Sequence, residues 1–181
     1  MANKLIGSVG LAPGTDTGFD LDTKGQLHGY TSTQYALDVG SDSDILVCDS
    51  GEASGLKYTA NTTSFVLACS NETTDLTTGE KVVFRMPFAY TVTAVRASLT
   101  TAGTGGTLVT VDINEGGTTI LSTKITIDAS ETTSTTASTA PVISDSDLAN
   151  DAEMSIDIDA IGSTNPGKGL KVYIIGYRVA H

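Results

Sequence analysis

The chain has 181 residues and a formal net charge of -11, with only 10 Lys and Arg residues. Because phosphate binding needs clustered cations, this composition argues against DNA or RNA as a direct ligand. No apolar run approaches the roughly 20 residues of a membrane-spanning helix, so no membrane contact is expected. The length suits one domain of ordinary size with a smaller appendage.

Residues 1–39 contain few apolar side chains, spaced irregularly among Gly, Asp, Ser and Thr. Such a segment buries too little apolar surface to fold by itself. It also lacks the apolar stretch of a signal peptide, which predicts synthesis in the cytoplasm. We therefore predict an extended N-terminal arm that becomes ordered against a partner. Its apolar side chains form the predicted partner-binding set: Leu5, Ile6, Val9, Leu11, Phe19 and Leu21.

Residues 40–78 predict a small β-rich connector. A short apolar strand at 45–47 is followed by a turn at 49–51, and residues 65–68 form a second apolar run. The polar segment 71–78, NETTDLTT, ends the connector. The two cysteines, Cys48 and Cys69, are predicted to be reduced and at least half-buried, because cytoplasmic synthesis disfavours disulfides. A disulfide between them is the alternative.

Residues 79–181 alternate apolar and polar side chains, as expected of strands with one buried face. Tyr90 and Val92 share one phase of this alternation, whereas Ala97 and Leu99 continue an apolar phase shifted by one residue. Since one extra residue moves side chains to the opposite face, the shift predicts a β-bulge near Val95. The glycine-rich segment 114–117 predicts a tight hairpin.

The last third of the chain continues the same pattern. The Thr-rich segment 129–140 predicts a loop or an edge strand, and DSDLAND at 145–151 predicts one helical turn. Alternation at 154–158 and 170–177 predicts two further half-buried strands. With roughly seven or eight strands after residue 80, the sequence predicts an all-β fold. We expect a C-terminal antiparallel β-sandwich or jelly roll carried by the extended N-terminal arm.

Two stretches resemble bacteriophage proteins. Residues 23–58 read TKGQLHGYTSTQYALDVGSDSDILVCDSGEASGLKY. They resemble a segment of tailed-phage virion proteins, including tail fibres, in which a TKGDL-like start is followed by VG-x-L-x-x-DS and GLKW. Gln26 stands where Asp is usual in that segment, and Tyr58 stands where Trp is usual. Residues 84–177 resemble a β-sandwich domain of marine-phage structural proteins, through FRMPFAYTVTAVRASLTTAGTG, VDINEGGTTILSTKITID, ISDSDLANDAEMSIDIDAIGS and GLKVYIIGYR.

The resemblance implies a non-enzymatic structural protein on the virion surface, made in the host cytoplasm. Its favoured role is capsid decoration or a head fibre, with the arm bound to the major capsid protein or to another virion protein. The alternative is a short tail fibre or receptor-binding protein that contacts host surface glycan. A polysaccharide esterase or glycanase is a third reading. The N-terminal arm and the resemblance of residues 23–58 to tail-fibre proteins together predict a homotrimer.

Candidate catalytic and metal-binding residues are few. Asp145, Asp147 and Asp151 offer oxygen ligands for Ca²⁺, but their segment lacks the ordered spacing and closing Glu of an EF-hand loop. A Ser-His-Asp triad would have to use His28, which no core would position. We therefore predict no catalytic residue, no cofactor and no metal site, with these three aspartates as the candidates for Ca²⁺.

Overall fold

A computed structural model of the chain describes residues 27–30, 34–41 and 44–179. The described part is all-β and antiparallel, which confirms the predicted fold class for the sandwich. The predicted partner-binding residues of the arm lie outside the described residues. The strands are β1 Leu27–Tyr30, β2 Gln34–Leu37, β3 Asp44–Cys48, β4 Leu56–Ala60, β5 Thr62–Ala68, β6 Gly79–Arg85, β7 Tyr90–Ser98, β8 Val109–Glu115, β9 Thr118–Thr119, β10 Leu121–Thr123, β11 Ile125–Ile127, β12 Val142–Ile143, β13 Asp147–Leu148, β14 Glu153–Ala160 and β15 Lys171–Arg178, with a short 3-10 helix at Ser134–Thr136.

The chain divides into two compact units, with the boundary between Thr59 and Ala60. The first, here called the N-terminal unit, contains two two-stranded sheets, β1–β2 and β3–β4. The turn after β3 forms as the sequence predicts, because the Asp49 carboxylate accepts a hydrogen bond from the Gly51 backbone N–H at 2.8 Å. Asp49 also pairs with Lys57 on β4.

The second unit, residues 60–181, is built on two sheets whose registered pairs are all antiparallel. The five-stranded sheet has the order β11-β8-β14-β6, with β9 added beside β8. The four-stranded sheet has the order β13-β7-β15-β5, and β10 pairs with β12 separately. The inner faces of both sheets contribute to one hydrophobic core, which makes this unit a β-sandwich.

Strand β5 belongs to the sandwich, although the sequence assigned its residues to the connector. It pairs with β15 over its whole length, from Thr62 opposite Tyr177 to Ala68 opposite Lys171. Its inward side chains, Phe65 and Leu67, pack against the core. The predicted connector is therefore split between the two units. An apolar alternation in a short run indicates a strand, but it does not indicate the strand with which it pairs.

The core is filled by inward side chains at alternate positions. On β14, Met154, Ile156 and Ile158 are fully buried, and Asp157 points to the opposite face. Burial of such a side chain contributes about 1.5–3 kcal/mol to folding. Tyr90 is the largest fully buried residue of the described chain, and its phenol donates a hydrogen bond to the backbone oxygen of Thr63 at 2.8 Å.

The predicted β-bulge is present in β7, two residues before the predicted position. Ile175 of β15 lies opposite Ala94 and Gly176 lies opposite Val92, so Thr93 is the extra residue. The bulge explains why Tyr90 and Val92 are buried and why burial resumes at Val95. Gly176 faces the bulge at close range, because a Cβ there would collide with the backbone oxygen of Thr91.

The predicted helical turn at 145–151 is instead a strand followed by a turn. Asp147 and Leu148 form β13, which pairs with Thr91 and Tyr90 of β7. Leu148 is buried in the core, whereas Asp151 occupies the turn with φ 62°. Pairing with a distant strand and burial of Leu148 therefore override the local preference for a capped turn.

Candidate functional site

The outer face of the four-stranded sheet carries apolar and aromatic side chains. On β15, Val172 and Ile174 point into the core, so Tyr173, Ile175 and Tyr177 lie on the outer face, where they are half-buried. Val66 of β5, opposite Tyr173, is 56% exposed. An uncovered face of this composition is typical of a contact or ligand surface.

A groove on this face lies where the 3-10 helix meets the edge of β7. Strand β13 covers only the first residues of β7, and the 3-10 segment takes over further along. The buried Ser134 hydroxyl accepts a hydrogen bond from the Ala97 backbone N–H at 2.9 Å, and the Thr132 carbonyl accepts one from Leu99 at 2.8 Å. The Thr-rich loop thus provides hydrogen-bond acceptors for two backbone N–H groups at the edge of β7. The resulting cavity has a volume of about 230 Å³ and is lined by Arg96, Ala97, Ser98, Thr133, Thr135, Tyr173 and Ile175.

Hydrogen bonds hold the groove's aromatic and hydroxyl side chains in place. The Tyr173 phenol and the Ser98 hydroxyl are hydrogen bonded at 3.2 Å across neighbouring strands. The hydroxyls of Thr133 and Thr135 are hydrogen bonded to each other at 2.9 Å. Because a hydroxyl has one donor and two acceptor lone pairs, each pair retains one O–H that can donate to a ligand.

Arg96 is the cation of the groove, and it has no partner within the part of the chain that the structure describes. It lies opposite Tyr173 in the sheet and is exposed. The other Lys and Arg side chains of residues 44–179 each contact a carboxylate, a protein oxygen or an aromatic ring: Lys57, Lys81, Arg85, Lys124, Lys168, Lys171 and Arg178. The Arg96 guanidinium therefore offers its donors to a ligand.

The outer face of the five-stranded sheet is different, because its charges are bonded to one another. Asp112 is only 5% exposed and accepts hydrogen bonds from the Thr119 hydroxyl at 2.5 Å and from the Ile113 N–H at 2.9 Å. Lys124 lies 2.8 Å from Asp112 and 2.5 Å from Asp159. These two hydrogen bonds, with Asp112 the larger cause, raise the pKa of Lys124 above its ordinary value. The charged groups of this network are already bonded to one another, so few donors or acceptors remain for a ligand.

The Asp112 network was missed by sequence reasoning, which treated Asp112 as one polar residue of an alternating strand. Its side chain does point away from the core, since Val111 and Ile113 point inward. It is buried because Thr119 and Lys124 cover it from β9 and from the link between β10 and β11. No local signal in the sequence indicates these contacts.

The structure does not bring the three candidate Ca²⁺ ligands together. Asp145 accepts a hydrogen bond from the backbone N–H of Asp147 at 3.3 Å, and the Asp147 carboxylate accepts one from Thr91 at 3.1 Å. Asp151 lies 3.9 Å from Arg85. Across the described residues, no cluster of three His, Cys, Asp or Glu side chains is placed to hold a metal ion.

The remaining candidates lie apart from the groove. Cys48 and Cys69 are both free, and Cys69 is buried as predicted. The predicted burial is wrong for Cys48, which is exposed because no described residue between 37 and 59 is buried. Burial raises the pKa of the Cys69 thiol to about 11, partly opposed by a hydrogen bond with the Val172 backbone. The side chain of His28 lies outside the described residues, as does His181. Among described residues, no helix is long and apolar enough to cross a membrane.

The chain matches no protein-family model, no curated protein and no solved structure. The groove of the four-stranded sheet is therefore assigned as the candidate functional site on its geometry alone. It combines a fixed aromatic side chain, paired hydroxyls and an unpaired guanidinium on one face of the sandwich.

Proposed function

We propose that the chain is a non-enzymatic structural protein of a tailed-phage virion, displayed on the particle surface. In this proposal it is a capsid decoration or head-fibre protein. Residues 1–59 attach it to the major capsid protein or another virion protein, and the sandwich is the exposed part. The sequence resemblance of residues 23–58 and 84–177 to phage structural proteins supports this role, as does the all-β sandwich.

The observation that carries the proposal is the exposure of apolar side chains in the N-terminal unit. No described residue between 37 and 59 is buried. Three apolar side chains there are nevertheless exposed, Val39 by 50%, Ile45 by 43% and Leu46 by 39%. An isolated two-stranded sheet is at best marginally stable in water. Such a unit gains stability when another surface covers its apolar side chains, which is the expected property of an attachment segment.

The same property supports assembly into a homotrimer. Three copies of a unit whose described residues between 37 and 59 are not buried can bury their apolar side chains against one another around a shared axis. The six apolar residues of the arm that the sequence singles out would add to that contact. Mass photometry of the purified protein is expected to report a trimer, and a stable monomer at micromolar concentration would contradict this part of the proposal.

Attachment is tested with particles that lack the protein. The double variant Ile45→Ser, Leu46→Ser is expected to remain folded in its sandwich and to lose most of its binding to such particles. The matched control is Val83→Ser, which changes an exposed apolar residue on the sandwich. Full occupancy by the double variant would show that Ile45 and Leu46 are not part of the attachment surface. An equal loss in the control would place part of that surface in the sandwich.

A second candidate function is a short tail-fibre or receptor-binding protein, and the groove beside Tyr173 favours it. The two roles differ in copy number, because decoration proteins repeat with the capsid and fibres are present in small multiples of three. A strong band on a stained gel of purified particles, comparable to the major capsid protein, is expected for decoration. A faint band with antibody labelling confined to the tail would replace the first proposal by the second.

A further inference from the structure

We infer that the groove of the four-stranded sheet binds a sugar that carries a carboxylate, such as a hexuronic acid residue. The inference goes beyond attachment, since it concerns the sandwich and does not depend on which virion surface carries the protein. It assigns a ligand class to the groove residues Arg96, Ser98, Thr133, Thr135 and Tyr173.

Charge identifies the acidic part of the ligand. The protein has a formal net charge of -11, and its described Lys and Arg side chains other than Arg96 already have partners. A guanidinium presents a fork of N–H donors that matches a carboxylate with two parallel hydrogen bonds. An anion that enters this groove therefore meets the unpaired N–H donors of Arg96, and no carboxylate among the lining residues repels it.

Hydroxyls and size identify the sugar. The Tyr173–Ser98 and Thr133–Thr135 pairs each leave an O–H free to donate, at positions fixed by the pair itself. A sugar ring offers several hydroxyl oxygens to accept these bonds and apolar C–H groups to pack on Tyr173 and Ile175. The volume of about 230 Å³ lies below the range of about 300–1,000 Å³ typical of drug-sized ligands, so the groove suits one small ring.

The backbone argues against an acidic peptide in the same place. A peptide commonly binds a sheet by adding a strand to a free edge. At this end of β7 the edge is occupied, since Ala97 donates to Ser134 and Leu99 donates to the Thr132 carbonyl. A ligand in the groove must therefore be recognised through side chains, which fits a sugar better than an extended chain.

The test is a nuclear magnetic resonance titration of the full chain with methyl glucuronide, methyl glucoside and a short Glu-rich peptide. We expect binding of the glucuronide at least about tenfold tighter than that of the neutral glucoside, because charge-assisted hydrogen bonds to Arg96 are lost with the carboxylate. Shifts are expected at Tyr173 and Thr135. Equal binding of both sugars, tighter binding of the peptide, or no binding of the glucuronide would overturn the inference.

Variants separate the groove from general charge effects. Arg96→Gln is expected to weaken glucuronide binding at least about tenfold, whereas Arg85→Gln, which removes an exposed Arg from the other sheet, leaves it unchanged. Arg96→Lys keeps the charge but loses the fork, and an intermediate loss is expected. Equal binding by wild type and Arg96→Gln would overturn the assignment. If Arg96→Gln failed to fold, Thr135→Ala would provide the same comparison, with weaker binding expected.

Discussion

The N-terminal unit and the sandwich are both built from short paired strands, and they differ in what those strands bury. In the N-terminal unit, the apolar residues Ile45 and Leu46 of β3 are exposed. In the sandwich, Ile156 and Ile158 of β14 are fully buried, because a second sheet covers the face on which they lie. Strand pairing alone satisfies backbone hydrogen bonds. Burial of side chains needs a second layer, which the sandwich supplies and which the described residues of the N-terminal unit between 37 and 59 do not.

This difference assigns different roles to similar residues. An apolar substitution in the sandwich is expected to act on folding, because it removes contacts inside the molecule. The same substitution in the N-terminal unit is expected to act on association, because the contacts it removes lie with a partner. Matched substitutions in the two regions should therefore have different effects.

The largest contrast is expected between core and exposed aliphatic residues. Ile156→Ala should lower the free energy of unfolding by about 2–5 kcal/mol, because it leaves a cavity between the sheets. Leu46→Ala should change it by less than about 0.5 kcal/mol. Urea unfolding followed by far-UV circular dichroism measures both values. A comparable loss in Leu46→Ala would show that the N-terminal unit belongs to the same cooperative core.

Added methyl groups are expected to distinguish the regions next. Gly176→Ala should cost about 1–3 kcal/mol, because its Cβ meets the backbone of β7 at the bulge, which cannot move without breaking the sheet. In Gly40→Ala the new Cβ would lie 2.6 Å from Cγ and 2.7 Å from Cβ of Tyr58, so the strain falls within the N-terminal unit. The melting transition of the sandwich should therefore be unchanged in Gly40→Ala. An unchanged transition in Gly176→Ala would contradict the register at the bulge.

Two aspartate–lysine pairs provide a third comparison. Asp112→Ala should lower the free energy of unfolding by about 1–3 kcal/mol, because the Ile113 N–H, the Thr119 hydroxyl and Lys124 lose a buried acceptor. Asp49→Ala breaks the exposed pair with Lys57, and no measurable change in the sandwich transition is expected. Chemical denaturation at two salt concentrations checks this. Equal effects of the two substitutions would contradict the burial of the Asp112 network.

The smallest expected effect on stability concerns the two thiols, which differ strongly in reactivity. At pH 8 Cys48 is expected to react rapidly with a thiol reagent, and Cys69 to react only after unfolding, because the buried thiol stays protonated. Its pKa is raised from 9.0 to about 11 in the folded chain. Because the thiol of the unfolded chain ionises first, the free energy of unfolding is highest below pH 9.0 and falls as the pH rises from 9.0 through about 11. Equal labelling rates at pH 8 would contradict the burial of Cys69.

The sequence alone was sufficient to predict most strands of the sandwich. Alternation at 154–158 reports one buried face directly, since neighbouring side chains of a strand point to opposite faces. The phase shift between Val92 and Ala97 even reports the bulge, although its exact residue depends on the partner strand. Thr93 is the extra residue because Gly176 lies opposite Val92, and that register is a property of β15.

Only the tertiary structure decided where the strands pair and which polar residues they bring together. Membership of β5 in the sandwich depends on β15, more than 100 positions away, and β13 forms because β7 offers it a partner. Asp112 becomes buried, and Arg96 meets Tyr173 and Thr135, through contacts between separate strands and loops. A strand pattern has a period of two residues and is written locally in the chain. Pairing between distant segments is not encoded by neighbouring residues. Local patterns therefore determined most strands, and long-range contacts determined the site.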